Sequence, residues 1–346
     1  MKSIKLIVYL VFVSVVVISC KKDDDVTVPD VVIRDRGEQQ LADSDSLIDY
    51  LSTHYYNSDF FLTGTNHKYT DIIITELAEG EDVPTGHTLL LDAVETHTTT
   101  YQEADYEYYV LRLNQGGGES PSFTDQVRMR YEGFTLADGD VFDSLATPED
   151  LYLIGTGFNP DLIRAWQLII PMFNCADSFM NSGGITNFNN FGLGVMFVPS
   201  GLGFYSGTAS GTVAAYSNLI FKFELLQYEE VDHDGDGIPS YVEDIDANLD
   251  VLDDDTDEDL APNFVDIDDD GDGVNTFDEL MSNTYTVDTN VNEEEPVLDE
   301  GEYEVSRSET AGIITINTVK VVDSDNNGTP DYLQEDIAIN YNEESE

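Results

Sequence analysis

Between residues 106 and 230 the alternation of apolar and polar positions predicts strands, one helix and more strands. In "DQVRMRYEGFTLADGDVFDS", Val127, Met129 and Tyr131 alternate with Arg128 and Arg130, the pattern of a half-buried strand. "LADGD" then offers a turn into a second strand. In "FNPDLIRAWQLIIPMF", Leu162, Ile163, Trp166, Ile169 and Ile170 fall on one helical stripe, with Arg164 and Gln167 on the opposite face. Asn159 can cap this helix, Pro160 fits its first position and Asp161 favours its positive end. "GVMFVPSG" and "SNLIFKFELLQY" supply the closing strands, so the order predicts an α+β unit with an antiparallel sheet.

Upstream, Leu47, Ile48, Leu51 and Tyr55 form one face of a helix, with Asp43 to Asp45 offering cap oxygens. "TDIIITELAEGEDVPTGHTLLLDAVETH" reads as two short strands around a Pro-Gly turn. "YEYYVLRLNQGGGESP" reads as a strand running into a flexible glycine-rich connection. No lysine follows the glycines, so this is not a phosphate loop.

The first residues change the picture. Lys2 and Lys5 precede an apolar run from Leu6 to Ile18, shorter than the roughly 20 residues needed to span a bilayer. This is the pattern of an export signal. It ends in "VISC", which resembles a bacterial lipobox with Cys20 as the lipidated first residue of the mature chain; the plainer reading is simple secretion. "CKKDDD" reads either as a surface-export tag of Gram-negative lipoproteins or as a solvated tether. The expected location is the cell envelope, lipid-anchored, at the outer membrane and with surface exposure open. Cys175 remains as a lone thiol, of the kind usually buried as a small apolar group.

The formal net charge of −56 is concentrated at one end: residues 231–346 hold 37 Asp and Glu against Arg307 and Lys320. Carboxylates at that density repel one another, so this region is either disordered or filled with cations. The same charge argues against nucleic acid as a partner.

"VRMRYEG", "LADGDVFDS", "LIRAW", "VPSG" and "SNLIFKFELL" occur in the order and rough spacing of FKBP-type peptidyl-prolyl cis–trans isomerases. The resemblance covers about Tyr106 to Tyr228. It implies a strongly curved antiparallel sheet wrapped around a short helix, and an apolar pocket that takes a proline-containing peptide or an unfolded exported protein. It further implies Tyr131 as a pocket wall with a usable hydroxyl, and Phe142 and Asp143 as aromatic wall and polar edge. Leu162 and Ile163 would form the rim, the Ile163 N–H meeting a substrate carbonyl, with Trp166 as the floor and Phe221 as the back wall. The flap position falls on Phe204 or Tyr205. The sequence departs from the family at Ala165, where glycine is usual, and in a longer 174–194 loop. No cofactor is implied for catalysis. The rival reading is a non-catalytic peptide-binding or adhesive surface protein.

The acidic region has its own pattern. "DHDGDGIPSYVE" puts Asp232, Asp234 and Asp236 at positions 1, 3 and 5 of a twelve-residue calcium loop. The Ile238 carbonyl stands at position 7 and Glu243 at 12. "DDDGDGVNTFDE" repeats this with Asp268, Asp270, Asp272, Val274 and Glu279. "DSDNNGTPDYLQ" offers Asp323, Asp325 and Asn327, but Gln334 stands at position 12, and Asp331 at position 9 is a candidate substitute. "DTDEDLAPNFVD" keeps the spacing with Leu260 in place of glycine. Flanking amphipathic helices are missing, so the run resembles thrombospondin type III repeats, which implies structural Ca²⁺ in a tail with little regular secondary structure. His233 sits at position 2, pointing away from the ion. The expected division is a signal peptide at 1–19, an acidic tether at 20–40, a helix and strands of unclear role at 41–105, the FKBP-like domain at 106–230, and the calcium-binding region at 231–346.

Overall fold

The computed structural model describes residues 33–156, 162–207 and 213–343. Cys20, the expected export signal and the expected cap residues Asn159, Pro160 and Asp161 lie outside them. Among the described residues no helix is long and apolar enough to cross a membrane. Arg36–Glu346 form one compact unit.

The centre of this unit is a six-stranded antiparallel sheet. It comprises β4 (Glu95–Tyr101), β5 (Ala104–Asn114), β6 (Gln126–Thr135), β7 (Val141–Tyr152), β10 (Gly192–Val198) and β11 (Leu219–Glu229), in the order β4-β5-β10-β11-β6-β7. Strand β10, "GLGVMFV", is buried at every position because both sheet faces are covered. On one face Val110, Met196, Val198, Phe221 and Phe223 pack around the short helix α3 (Arg164–Ile169). On the other, Tyr109, Leu111, Val195, Phe197 and Ile220 meet Leu47 and Leu51 of helix α1 (Arg36–Thr53) and Leu90 of α2 (Leu90–Ala93). The upstream region thus has a structural role: it seals the second face of the sheet.

Details differ from the sequence expectation. Helix α1 begins at Arg36, so Asp43 to Asp45 lie inside it rather than capping it, and Asp43 is buried. Ile48 is exposed, and Tyr55 belongs to β1 (His54–Tyr56). Strands β2 (Ile74–Glu76) and β3 (Thr88–Leu89) both form, but each pairs with β1 instead of with the other. Helix α3 starts after Ile163, and its polar face is not solvated. Arg164 and Gln167 are buried; Arg164 donates to Gln167 Oε1 at 2.8 Å, and Gln167 donates to the Leu153 carbonyl at 3.0 Å. A helix enclosed on all sides must satisfy its polar groups internally.

The glycine run after β5 is a packed junction. Gly117 and Gly118 donate to the carbonyls of Asn190 and Cys175, and a Cβ on Gly116 would come within 2.0 Å of the Asn174 carbonyl oxygen. Only glycine permits that approach. Cys175 is buried there, and burial pushes its thiol up to about 12. The long 174–194 segment folds as a hairpin of β8 (Ser178–Ser182) and β9 (Ile185–Asn189). The acidic region contains a sheet of its own, which the sequence reading did not foresee. Strands β12 (Met281–Asp288), β13 (Glu302–Thr310) and β14 (Ile313–Lys320) pair antiparallel in the order β12-β14-β13.

Candidate functional site

Five aromatic rings from five parts of the fold meet at α3. Trp166 lies 5.0 Å from Phe221 on β11 and 5.4 Å from Tyr131 on β6, ring centre to ring centre. Phe142 on β7 stands edge-on to Phe221 at 5.6 Å, and Phe204, in the loop after β10, stands edge-on to Phe142 at 6.1 Å. Such geometry is the favoured one for aromatic pairs. Leu162 and Ile163 pack against the same cluster, and Ile163 is the N-cap of α3. Its own N–H is not needed by the helix ladder.

One polar pair borders the rings. Tyr131 Oη donates to Asp143 Oδ2 at 2.6 Å. Burial first, then this bond, pushes the Tyr131 hydroxyl above its ordinary range, so it stays protonated and able to donate. The flap ambiguity resolves in geometric terms. Phe204 joins the rings, whereas Tyr205 turns away: its ring packs edge-on against Tyr216 at 5.1 Å and under the Arg36 guanidinium at 4.1 Å. Tyr205 has φ +47°, the left-handed backbone that lets adjacent side chains part so sharply.

Two features of this site escaped sequence reasoning. Gly133 faces both Phe221 and Asp143 in the strand register, and a Cβ there would lie 2.5 Å from the Phe221 ring. A glycine inside an otherwise regular strand is the available signal. The second is Asp43 of α1. Its carboxylate accepts from Ser200 N at 2.9 Å and Ser200 Oγ at 2.6 Å, while Asn218 Oδ1 accepts from the same Ser200 N–H at 3.2 Å. Arg36 donates to the Gly201 carbonyl at 3.2 Å. Helix α1 therefore holds the loop that carries Phe204. No local pattern reveals a partner 157 residues away.

The acidic loops share one geometry. The N–H at position 6 donates to the position 1 carboxylate in five successive cases: Gly237 to Asp232, Leu249 to Asp244, Leu260 to Asp255, Gly273 to Asp268 and Gly328 to Asp323, all at 2.9–3.2 Å. The loop at 244–255 was not recognised from sequence, because Asn248 interrupts the carboxylates at position 5 as well as Leu249 replacing the glycine. Leu249 and Leu260 nonetheless adopt φ +66° and +83°. In four loops the position 9 side chain accepts the position 2 N–H: Ser240, Asn263, Thr276 and Asp331.

Position 9 is thus a brace for the turn. Both Asp331 oxygens accept hydrogen bonds, one from Ser324 N and one from Tyr341 Oη. In its loop Asn327 also donates to Asp325 and to Gln334 Oε1, and no group of three carboxylates forms around Asp323 and Asp325 among the described residues.

Elsewhere the carboxylates converge. Asp232, Asp234 and Asp236 bring oxygens within 4.8 Å of one another, as do Asp268, Asp270 and Asp272. Two further sets, Asp244 with Asp246 and Asp254, and Asp255 with Asp257 and Asp259, do the same. Oxygens of Asp234, Asp236, Glu243, Asp270, Asp272 and Glu279 are buried without a hydrogen-bond partner. Desolvation, and then crowding by like charges, pushes Glu243 up to about 11 and Asp234 and Glu279 up to about 8. Orphaned all-oxygen donors that repel one another fit a hard divalent cation. His233 is turned aside, its Nδ1 2.8 Å from Ser240 Oγ and its ring 5.4 Å from Phe264.

The family model for the BamM C-terminal region matches residues 233–305, which take in the first strong loop from its second position, all of the second and β12. No curated protein matches the chain. A peptidyl-prolyl cis–trans isomerase from Pseudomonas syringae pv. tomato is similar over 40% of this chain and 82% of its own, at 17% identity and TM-score 0.30. FkpA from Escherichia coli is similar over 40% and 52%, at 21% identity and TM-score 0.29. A multi-domain immunophilin from Arabidopsis thaliana is similar over 40% and 47%, at 14% identity and TM-score 0.29.

Proposed function

We propose that the chain is an FKBP-type peptidyl-prolyl cis–trans isomerase of the cell envelope, acting on proline-containing segments of exported proteins. The observation that carries this is the aromatic cluster of Tyr131, Phe142, Trp166, Phe204 and Phe221, bordered by the Tyr131–Asp143 hydrogen bond. Twisting an X–Pro bond breaks amide resonance, with a barrier of roughly 18–20 kcal/mol. Apolar walls favour the less dipolar twisted amide, and a shape that fits it lowers the barrier without a nucleophile or metal. In this reading Trp166 is the floor, Phe142 and Phe221 are walls, and Asp143 with Tyr131 forms the polar edge. Leu162 and the Ile163 N–H hold the substrate backbone.

The acidic loops are proposed as structural Ca²⁺ sites, with Asp232, Asp234, Asp236, the Ile238 carbonyl and Glu243 in one. Asp268, Asp270, Asp272, the Val274 carbonyl and Glu279 form the other. Their orphaned carboxylates support this. Attachment through a lipid at Cys20 and an outer-membrane location are part of the proposal. The BamM C-terminal match supports the location by pointing to an outer-membrane-associated family.

A second reading is favoured by one observation: Phe204, not a tyrosine, faces the rings, so the flap brings no hydroxyl to a peptide. In that reading the site binds peptides without accelerating isomerisation. The deciding measurement is the cis-to-trans rate of an X–Pro peptide with the full chain and with Phe221→Ala and Asp143→Ala. Acceleration that falls by about tenfold or more in both variants is expected. A folded protein that binds the peptide without accelerating it establishes the binding module instead.

A further inference from the structure

The two strongest calcium loops meet at one buried point. Asp236 and Glu243 of residues 232–243 and Asp269 of residues 268–279 bring one oxygen each within 4.8 Å of one another. All three are almost wholly buried, at 3%, 1% and 1% exposure. Asp236 Oδ2 and both oxygens of Glu243 and of Asp269 receive no hydrogen bond. Among the described residues no lysine or arginine is ion-paired with any of them. Carboxylates taken out of water with neither donor nor counter-charge are among the costliest groups a protein can bury, so this arrangement calls for a cation.

Asp269 stands at position 2 of its loop, where the other glycine-bearing loops have His233 and Ser324. Its N–H is held by Thr276 Oγ1 at 3.2 Å, the brace seen in four of the five loops. Its carboxylate groups with the first loop, not with Asp268, Asp270 and Asp272 of its own. Oxygens that share one Ca²⁺ at roughly 2.3–2.6 Å lie no more than about 5 Å apart, which the observed grouping satisfies.

We infer that Asp269 is a ligand given by the second loop to the cation of the first, so that residues 232–243 and 268–279 load as one coupled unit. The inference rests on the calcium reading of these loops and adds the link between them. The first loop cannot complete its ligand set until the second has folded against it. A region with few apolar side chains thereby gains cooperativity from shared ligands.

The test uses Ca²⁺ itself, with calorimetric titration and thermal unfolding of the full chain and of Asp269→Asn. Asp92→Asn, an exposed carboxylate on α2 that belongs to none of the acidic loops, is the control. In EDTA the Asp269→Asn protein is expected to melt higher than the unaltered chain, because an uncompensated buried charge has gone while the shape remains. With Ca²⁺ it is expected to gain less stability and to bind roughly 10- to 100-fold more weakly at the junction, losing cooperativity. The control is expected to leave that cooperativity intact. Equal Ca²⁺ affinity and cooperativity in the Asp269→Asn protein would overturn the inference and leave the calcium reading standing. A variant that melts lower in EDTA would make Asp269 a structural group and also overturn it. An unaltered chain that binds no Ca²⁺ would remove both.

Discussion

Several single side chains in this molecule act at long range. Asp43 lies inside α1 yet anchors Ser200, and through it the loop that presents Phe204. Hydrogen bonds to a charged acceptor contribute about 1.5–3 kcal/mol each. Asp43→Ala is expected to cost about 3 kcal/mol in chemical denaturation and to raise hydrogen exchange at residues 199–205, with little change elsewhere. Asp125 is a different case. It is 1% exposed, and desolvation pushes its carboxyl up to about 7, well above an unfolded aspartate. A raised folded value means the native state holds the proton more tightly. Its stabilising contribution is therefore complete below about pH 4 and is lost as the pH rises toward 7. Asp125→Asn removes that dependence. It should be near neutral at pH 4 and stabilising by about 2 kcal/mol at pH 8, as read from denaturation midpoints across pH.

At the level of elements, much follows from alternation. β6, β10 and β11 occur where the apolar patterning placed them, because each has a clear apolar face or is buried throughout, whereas β7 has no fully buried position and was marked only by the turn before it. The sheet of β12, β13 and β14 was not legible. Its strands are mostly exposed and rich in threonine, serine and glutamate, so only Val287, Ile316 and Val319 mark its buried side. The glycine run at 116–118 was misjudged for a related reason: composition reports freedom, whereas packing reports need. With the Asn174 carbonyl 2.0 Å from its added Cβ and φ at +91°, Gly116→Ala should cost more than about 2 kcal/mol. A midpoint unchanged from the unaltered protein would show that the junction yields.

For the molecule as a whole, the acidic region is part of the fold rather than an appendage. Val251 and Phe264 pack with Phe123 and Ile154, which belong to the segments flanking β6 and β7. Fully burying a side chain of this size stabilises by roughly 1.5–3 kcal/mol, so a chain ending at residue 230 should lose about 3–5 kcal/mol. Trp166, the only tryptophan, reports this directly through urea unfolding followed by fluorescence. An unchanged midpoint after truncation would mean the contact contributes nothing.

By itself the sequence determined the succession of strands around one short helix in residues 106–230 and the spacing of the strong acidic loops. Each of these is written in local terms: alternation along a strand, a stripe on a helix, carboxylates at fixed intervals around a turn. The tertiary structure decided that Phe204 rather than Tyr205 joins the rings, that Asp43 holds their loop, and that Asp269 turns toward the neighbouring loop. It also decided that Arg164 and Gln167 are buried. The reason is common to all four. Each depends on a partner far away in sequence or on what covers a face, and neither is encoded in the residues next to it.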